Sequence, residues 1–398
     1  MLYRLTMVSS DTDIDRIDAL DGLRALAIAL VLLAYSILNI YRYVDPNVVV
    51  FGSTHLTWLL MNGWTGVNLF LVLGGFLITR ELLGIGMAPP GWRRALLRGY
   101  AFRRFIRIVP AYYIVLGASM IPSLAGSKNL PLWLWRLVSH LFFLQDYFEQ
   151  MILPQYWPLA VGVQFCLLAP FLVLRLLRKS PDRRYIILAM LMAALFMLKL
   201  ITASFTPPVK NEILFFTVFC APLHMSLDSL LAGMAACFLW HDARLRPALE
   251  TPACANLLFG AGFVLFIYLT AFVKPHYLDY PLPVTLFDKT GYFSLIALAF
   301  GSMLLGSLGE GAAAQIFAAR PLRVVAMLSY GLYLVHIIAA PWALKLAQNA
   351  LPRIGSVTLL WCIEFIIFIV LIVPPATVLY VFVEKPLTDW ARRRTALE

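Results

Sequence analysis

The sequence predicts an all-α fold, a polytopic membrane bundle of about ten transmembrane helices. Three observations carry this. Of the 398 residues, 61% are hydrophobic and 13% charged, with a mean hydropathy of +0.82; a soluble domain is about half apolar and a quarter charged. Apolar runs of the roughly 20 residues needed to cross a hydrocarbon core recur along the whole chain. The basic residues behind the net charge of +11 gather in short segments between those runs, which is the pattern of cytoplasmic loops and excludes a nucleic-acid surface. The even spread of runs predicts one integral membrane domain over 1–398.

The runs lie at 21–41, 58–79, 106–125, 131–147, 156–177, 184–204, 213–240, 252–273, 290–308, 324–348 and 357–383, eleven candidates in all. Loop charge decides how many cross. Arg80, Arg93, Arg94, Arg98, Arg103, Arg104 and Arg107 lie between the second and third run, and Arg175, Arg178, Lys179, Arg183 and Arg184 follow the fifth. Both clusters are cytoplasmic only if an even number of crossings separates them. The run 131–147 is the shortest and is interrupted by Arg136 and His140, so it is read as a short interfacial or re-entrant helix. Arg244 with Arg246, Arg320 with Arg323, and a tail with Lys385 and three arginines from Arg392 complete the inner face. Ten crossings result, with both termini cytoplasmic. The first twenty residues mix Asp and Arg without an apolar core, which predicts no cleavable signal peptide. Cys166, Cys220, Cys237, Cys254 and Cys362 lack metal-ligand spacing and read as small buried hydrophobes. The outer loop 274–289, with Lys274, His276, Asp279, Asp288 and Lys289, reads as ordinary solvated loop.

Charged groups inside hydrocarbon are costly and face a bundle interior or a cavity. Lys199 is placed near the outer end of its span, where it can snorkel to the interface. His224 and Asp228, four apart on one helix face, are expected to pair, as a structural link or as members of a site. Glu364 is a candidate for pairing across helices. His336, after Tyr330-Gly-Leu-Tyr333, reads as a packing residue or a site histidine, and Asn68 lies in Gly66-Val-Asn-Leu-Phe70.

Two stretches carry chemistry. Arg103 and Arg107 share a helix face, with Arg104 one turn from Arg107. Guanidinium forks of this kind suit phosphate groups, and equally anchor a cytoplasmic helix end. Leu20-Asp21-Gly-Leu-Arg24 opens the first span, and Tyr35, eleven residues after Arg24, lies on nearly the same face roughly 16 Å deeper.

Taken together these residues resemble the acyltransferase-3 family of membrane acyltransferases. The agreement runs in order through Leu20–Arg24, Gly66–Ile78, Arg103–Tyr112, Trp157–Phe165, Leu227–Gly233, Ser329–His336 and Val383–Pro386. The resemblance implies transfer of an acyl group from cytosolic acyl-CoA to a hydroxyl of a cell-surface or lipid-linked carbohydrate, at a bacterial inner membrane and without a metal. Arg24, Arg103, Arg104 and Arg107 would hold the CoA phosphates. A histidine eleven residues after the first-span arginine would be the general base, a task suited to its near-neutral pKa. This chain departs from the pattern there. That position is Tyr35, the acid after Gly-Val is Asn68, the Ser of Ser-Gly-Phe is Gly74, and the Ser and Glu of the Trp157 motif are Pro158 and Gly162. Arg24, Arg104, Arg107, Gln164, Asp228, Tyr333 and His336 remain, with Asp21 beside Arg24. Two readings follow. One is an active O-acyltransferase using Tyr35, His336 or His224. The other is an inactive homologue that binds or moves a lipid-linked or acyl-CoA-like ligand, or supports a partner subunit.

Overall fold

A computed structural model describes residues 17–125, 129–148, 154–206, 209, 212–273, 284–350 and 356–397. Lys274, His276 and Asp279, and most of the N-terminal segment read as free of a signal peptide, lie outside the described residues. The elements are helices: α1 (Asp18–Tyr43), α2 (Thr54–Met61), α3 (Gly66–Met87), α4 (Pro90–Ala125), α5 (Leu130–Leu141), α6 (Trp157–Leu177), α7 (Pro181–Phe205), α8 (Glu212–Phe219) and α9 (Leu223–Trp240). They continue with α10 (Arg246–Glu250), α11 (Pro252–Ala271), α12 (Leu286–Lys289), α13 (Gly291–Leu308), α14 (Ala312–Phe317), α15 (Arg320–Ala350), α16 (Val357–Leu379) and α17 (Lys385–Leu397). Among the described residues ten helical segments are long and apolar enough to cross a membrane.

Local chemistry sets many of the helix starts. The side chains of Asn129, Thr251 and Ser356 accept from the backbone N–H groups of Leu132, Cys254 and Leu359. Thr285 and Asp288 form a reciprocal capping box. Prolines stand at the first helical position of α7 and α11 and at the second of α6, where a missing N–H costs nothing. The segment expected to stop short of crossing is the 12-residue α5, about 18 Å long, followed by a turn at Gln145–Tyr147.

The apolar run 213–240, expected to be one span, is broken. α8 ends at Phe219 and α9 begins after Pro222. Proline supplies no N–H and biases Ala221 away from helical backbone. The freed carbonyl of Cys220 is satisfied by the Ser226 hydroxyl at 2.6 Å, as exposed backbone in an apolar setting requires.

α1, α3, α9 and α13 form the centre, whereas α7 lies at the periphery. Two glycines let α3 and α9 cross backbone to backbone. A methyl on Gly233 would overlap the Val72 carbonyl, and one on Gly75 would overlap that of Leu230, the close approach that small residues give membrane helices. Two elements are longer than a bilayer needs. α4 has 36 residues, about 54 Å, and the segment Val357–Thr395 has 39, about 58 Å, against a hydrocarbon core of ~30 Å. They pack together at the arginine-bearing end. Trp390 meets Phe102 edge-on at 5.5 Å between centroids, Arg394 lies over both rings, and Arg103 Nη1 donates to Thr395 Oγ1 at 3.1 Å. A π-helical turn, Tyr380–Glu384, joins α16 to α17.

Candidate active site

The arginine end is assembled from α1, α3, α4 and α17. Arg24 donates to Asp21 at 3.0 Å, one turn back on α1. Glu81 on α3 accepts from Arg103 Nη2 and Arg104 Nη2, each at 2.7 Å, one carboxylate oxygen per guanidinium. Arg104 also lies over the Tyr100 ring. Arg107 is exposed and forms no hydrogen bond or ion pair with a described residue. It lies within electrostatic range of Arg24, Arg104, Arg392 and Glu384. The sequence reading missed Glu81, Glu384 and Arg392 as members of this cluster; an acid at position 81, next to Arg80 in the most basic stretch, was the available signal.

About 16 Å deeper along α1, Tyr35 meets His336 of α15, edge to face, with ring centroids 4.6 Å apart. His336 is fully buried, and its Nδ1 stands 2.6 Å from the Tyr333 carbonyl oxygen. A carbonyl only accepts, so Nδ1 carries the proton and Nε2 carries the lone pair. Nε2 is buried and has no hydrogen-bond partner among the described residues. The Tyr333 ring packs on His336 and Phe70, and its hydroxyl donates to the Gln155 carbonyl at 2.7 Å. One turn beyond Tyr35, Asn39 Nδ2 donates to the Ala340 carbonyl at 2.7 Å and reaches Glu364 Oε1 at 3.5 Å, while the Ser36 hydroxyl donates to Glu364 Oε2. Glu364 is fully buried, so these contacts are what satisfies it.

The remaining candidates lie apart from this pair. Asn68 Nδ2 donates to Ser229 Oγ at 3.1 Å. His224 and Asp228 do not pair. The helix break puts His224 at the head of α9, stacked on Tyr147 at 6.0 Å. Asp228 instead accepts from Lys199 Nζ at 2.5 Å and Ser294 Oγ at 2.8 Å. Lys199 therefore does not snorkel: it is 1% exposed, because its carboxylate partner lies inward on α9. Gln164 Nε2 donates to the Phe143 carbonyl at 2.7 Å and to Asp146 Oδ1 at 2.8 Å. A methyl on Gly162 would meet nothing within 4 Å, so the place of the absent acid is open. Asp146, which the sequence reading did not single out, is the carboxyl that Gln164 holds. Burial pushes its pKa up to about 6, against the Gln164 hydrogen bond.

The fold is an all-helical membrane bundle with guanidinium groups at one end and a phenol–imidazole pair deep along the same helix, the placing of polar groups toward a bundle interior that a membrane requires. The profile of the acyltransferase domain of the acyltransferase-3 family matches residues 17–381, and the chain belongs to this family. It is 26% identical over 392 residues to peptidoglycan O-acetyltransferase OatA of Listeria monocytogenes, covering 93% of this chain and 56% of that protein. Similarity to the putative peptidoglycan O-acetyltransferase YrhL of Bacillus subtilis is 25% over 399 residues (93% and 55%), and to O-acetyltransferase OatA of Staphylococcus aureus 23% over 384 (92% and 56%). The chain spans about half the length of these curated relatives. No solved structure matches it.

Proposed function

We propose that the chain is an O-acyltransferase of the inner membrane that takes an acyl group from cytosolic acyl-CoA and passes it to a hydroxyl of a cell-envelope carbohydrate. His336, not Tyr35, is its general base. The observation that carries this is the His336 imidazole, whose Nδ1–H is fixed by the Tyr333 carbonyl and whose Nε2 lone pair is unused beside Tyr35. It restores an imidazole at the depth where the family's first-span histidine would stand. The relatives' names support the carbohydrate acceptor, a peptidoglycan-like glycan. The arginine end, on the cytoplasmic side with both termini, suits the CoA phosphates through Arg24, Arg104 and Arg107, while Glu81 holds Arg103 and Arg104 in register.

A thioester supplies an activated acyl carbonyl. His336 Nε2 takes the proton of the acceptor hydroxyl as its oxygen bonds to that carbonyl carbon. The carbon–sulfur bond breaks, and the proton passes from Nε2 to the leaving sulfur, giving the ester and free thiol. Tyr35 packs edge to face on the imidazole, orients it and borders the reacting carbonyl.

The test is thiol release and acetyl transfer by purified protein in nanodiscs, supplied with acetyl-CoA and a soluble glycan of N-acetylated amino sugars. His336→Gln is expected to lower transfer by roughly 100-fold or more, and Tyr35→Phe by only a few-fold. The reverse ranking refutes the base assignment. Absence of thiol release by the wild type at any pH favours the second reading, a binding homologue without chemistry, which Tyr35, Asn68 and Gly162 at the family's proton-handling positions support.

A further inference from the structure

We infer that the C-terminal helix α17 is part of the donor site, and that Arg392 contributes a guanidinium to the nucleotide phosphates at the arginine end. Several independent contacts place the helix there. Arg103 reaches across to Thr395, Trp390 packs on Phe102, and Arg394 covers both rings, so α17 is pinned to the half of α4 that carries the arginines. The π-helical turn before it brings Glu384 within electrostatic range of Arg107. Such turns recur at functional sites because they re-aim the residues that follow.

The geometry selects the ligand class. The exposed Arg107 of α4 lies within electrostatic range of Arg24 from α1, Arg104 from α4 and Arg392 from α17, on the end of α4 to which α17 is pinned by Arg103–Thr395 and Phe102–Trp390. Asp21 and Glu81 hold Arg24 and Arg104, and a polyanion laid across guanidinium groups drawn from three elements relieves the repulsion that remains among them. A single carboxylate would engage two forks at most; a ligand with several phosphates engages all of them. The matched family segment ends at residue 381, so Arg392 is a contribution of this chain outside that segment. The identity of the ligand as the bisphosphorylated nucleotide of CoA rests on the acyl-CoA reading above.

The probe is adenosine 3′,5′-bisphosphate, titrated by calorimetry into the full chain in nanodiscs at two salt concentrations. Arg392→Ala is expected to weaken binding roughly ten-fold or more and to flatten its salt dependence. Arg392→Lys should recover part of the loss. Arg393→Ala, on the same helix with its Nε bound to the Asp389 carbonyl, should bind like wild type. Equal binding by wild type and Arg392→Ala overturns the inference, and so does an equal loss in Arg392→Ala and Arg393→Ala. Tight bisphosphate binding without thiol release from acetyl-CoA would leave this site standing and sink the enzymatic reading. Thiol release without bisphosphate binding would do the opposite.

Discussion

Lys199 and Asp228 form an ion pair sealed inside the bundle, and breaking it tests how α7 is held. Lys199 is 1% and Asp228 3% exposed; their charged atoms are 2.5 Å apart and share Ser294 Oγ, which lies 3.2 Å from Nζ and 2.8 Å from Oδ2. α7 is the span with the least of its surface inside the bundle among the described residues, and this link is a buried polar attachment of it to α9 and α13. Lys199→Met leaves a buried carboxylate with only Ser294 and the Ser229 N–H for company. Asp228→Asn leaves a buried ammonium facing an amide. Each single change is expected to cost about 3–5 kcal/mol, because an uncompensated charge stays behind. The double change removes both charges and is expected to cost about 1 kcal/mol, since desolvation cancels most of the gain from a buried pair. The coupling in the cycle is then several kcal/mol of opposite sign to the single losses. Denaturant unfolding followed by tryptophan fluorescence measures all four proteins. Losses that simply add in the double variant, or singles below about 1 kcal/mol, would refute the reasoning.

Asp146 makes stability depend on pH. Its folded pKa, raised from the usual 3.8 to about 6 by burial, means that the folded chain holds a proton the unfolded chain has lost. The resulting penalty is absent below about pH 4, grows as pH rises through that window, and is complete above about pH 6. Asp146→Asn should therefore stabilise the protein at pH 7.5 by up to about 3 kcal/mol and leave it unchanged near pH 4, as thermal unfolding at the two pH values will show. Gly233→Ala, whose methyl would overlap the Val72 carbonyl, should destabilise by roughly 1–3 kcal/mol. Gly162→Ala, with open space around it, should gain up to about 1 kcal/mol from helix propensity in the same unfolding assay.

Hydropathy and loop charge were enough to place the ten spans and to single out α5, because span length and basic flanks are properties of contiguous residues. What escaped them depends on one residue or on distant ones. Pro222 sits inside an unbroken apolar run, and a hydropathy average does not register a single missing N–H. The spacing of His224 and Asp228 suggested a pair, but a partner on another helix, Lys199 of α7, prevails over a neighbour on the same one when both charges are buried. Proximity of Tyr35 to His336, 301 residues later, follows from the packing of α1 on α15, which no local pattern encodes. The arginines of α4 were legible as a cluster, yet the carboxylate that holds two of them, Glu81, belongs to the preceding helix.

The glycine crossing of α3 and α9 has a mechanical consequence. Backbones in contact at Gly75 and Gly233 have no room to slide, so the two helices behave as one rod. That rod carries Glu81, which steadies Arg103 and Arg104, and, thirteen residues and about 20 Å away, Asn68 with its link to Ser229. It is a fixed ruler laid between the anchoring end and the far polar groups.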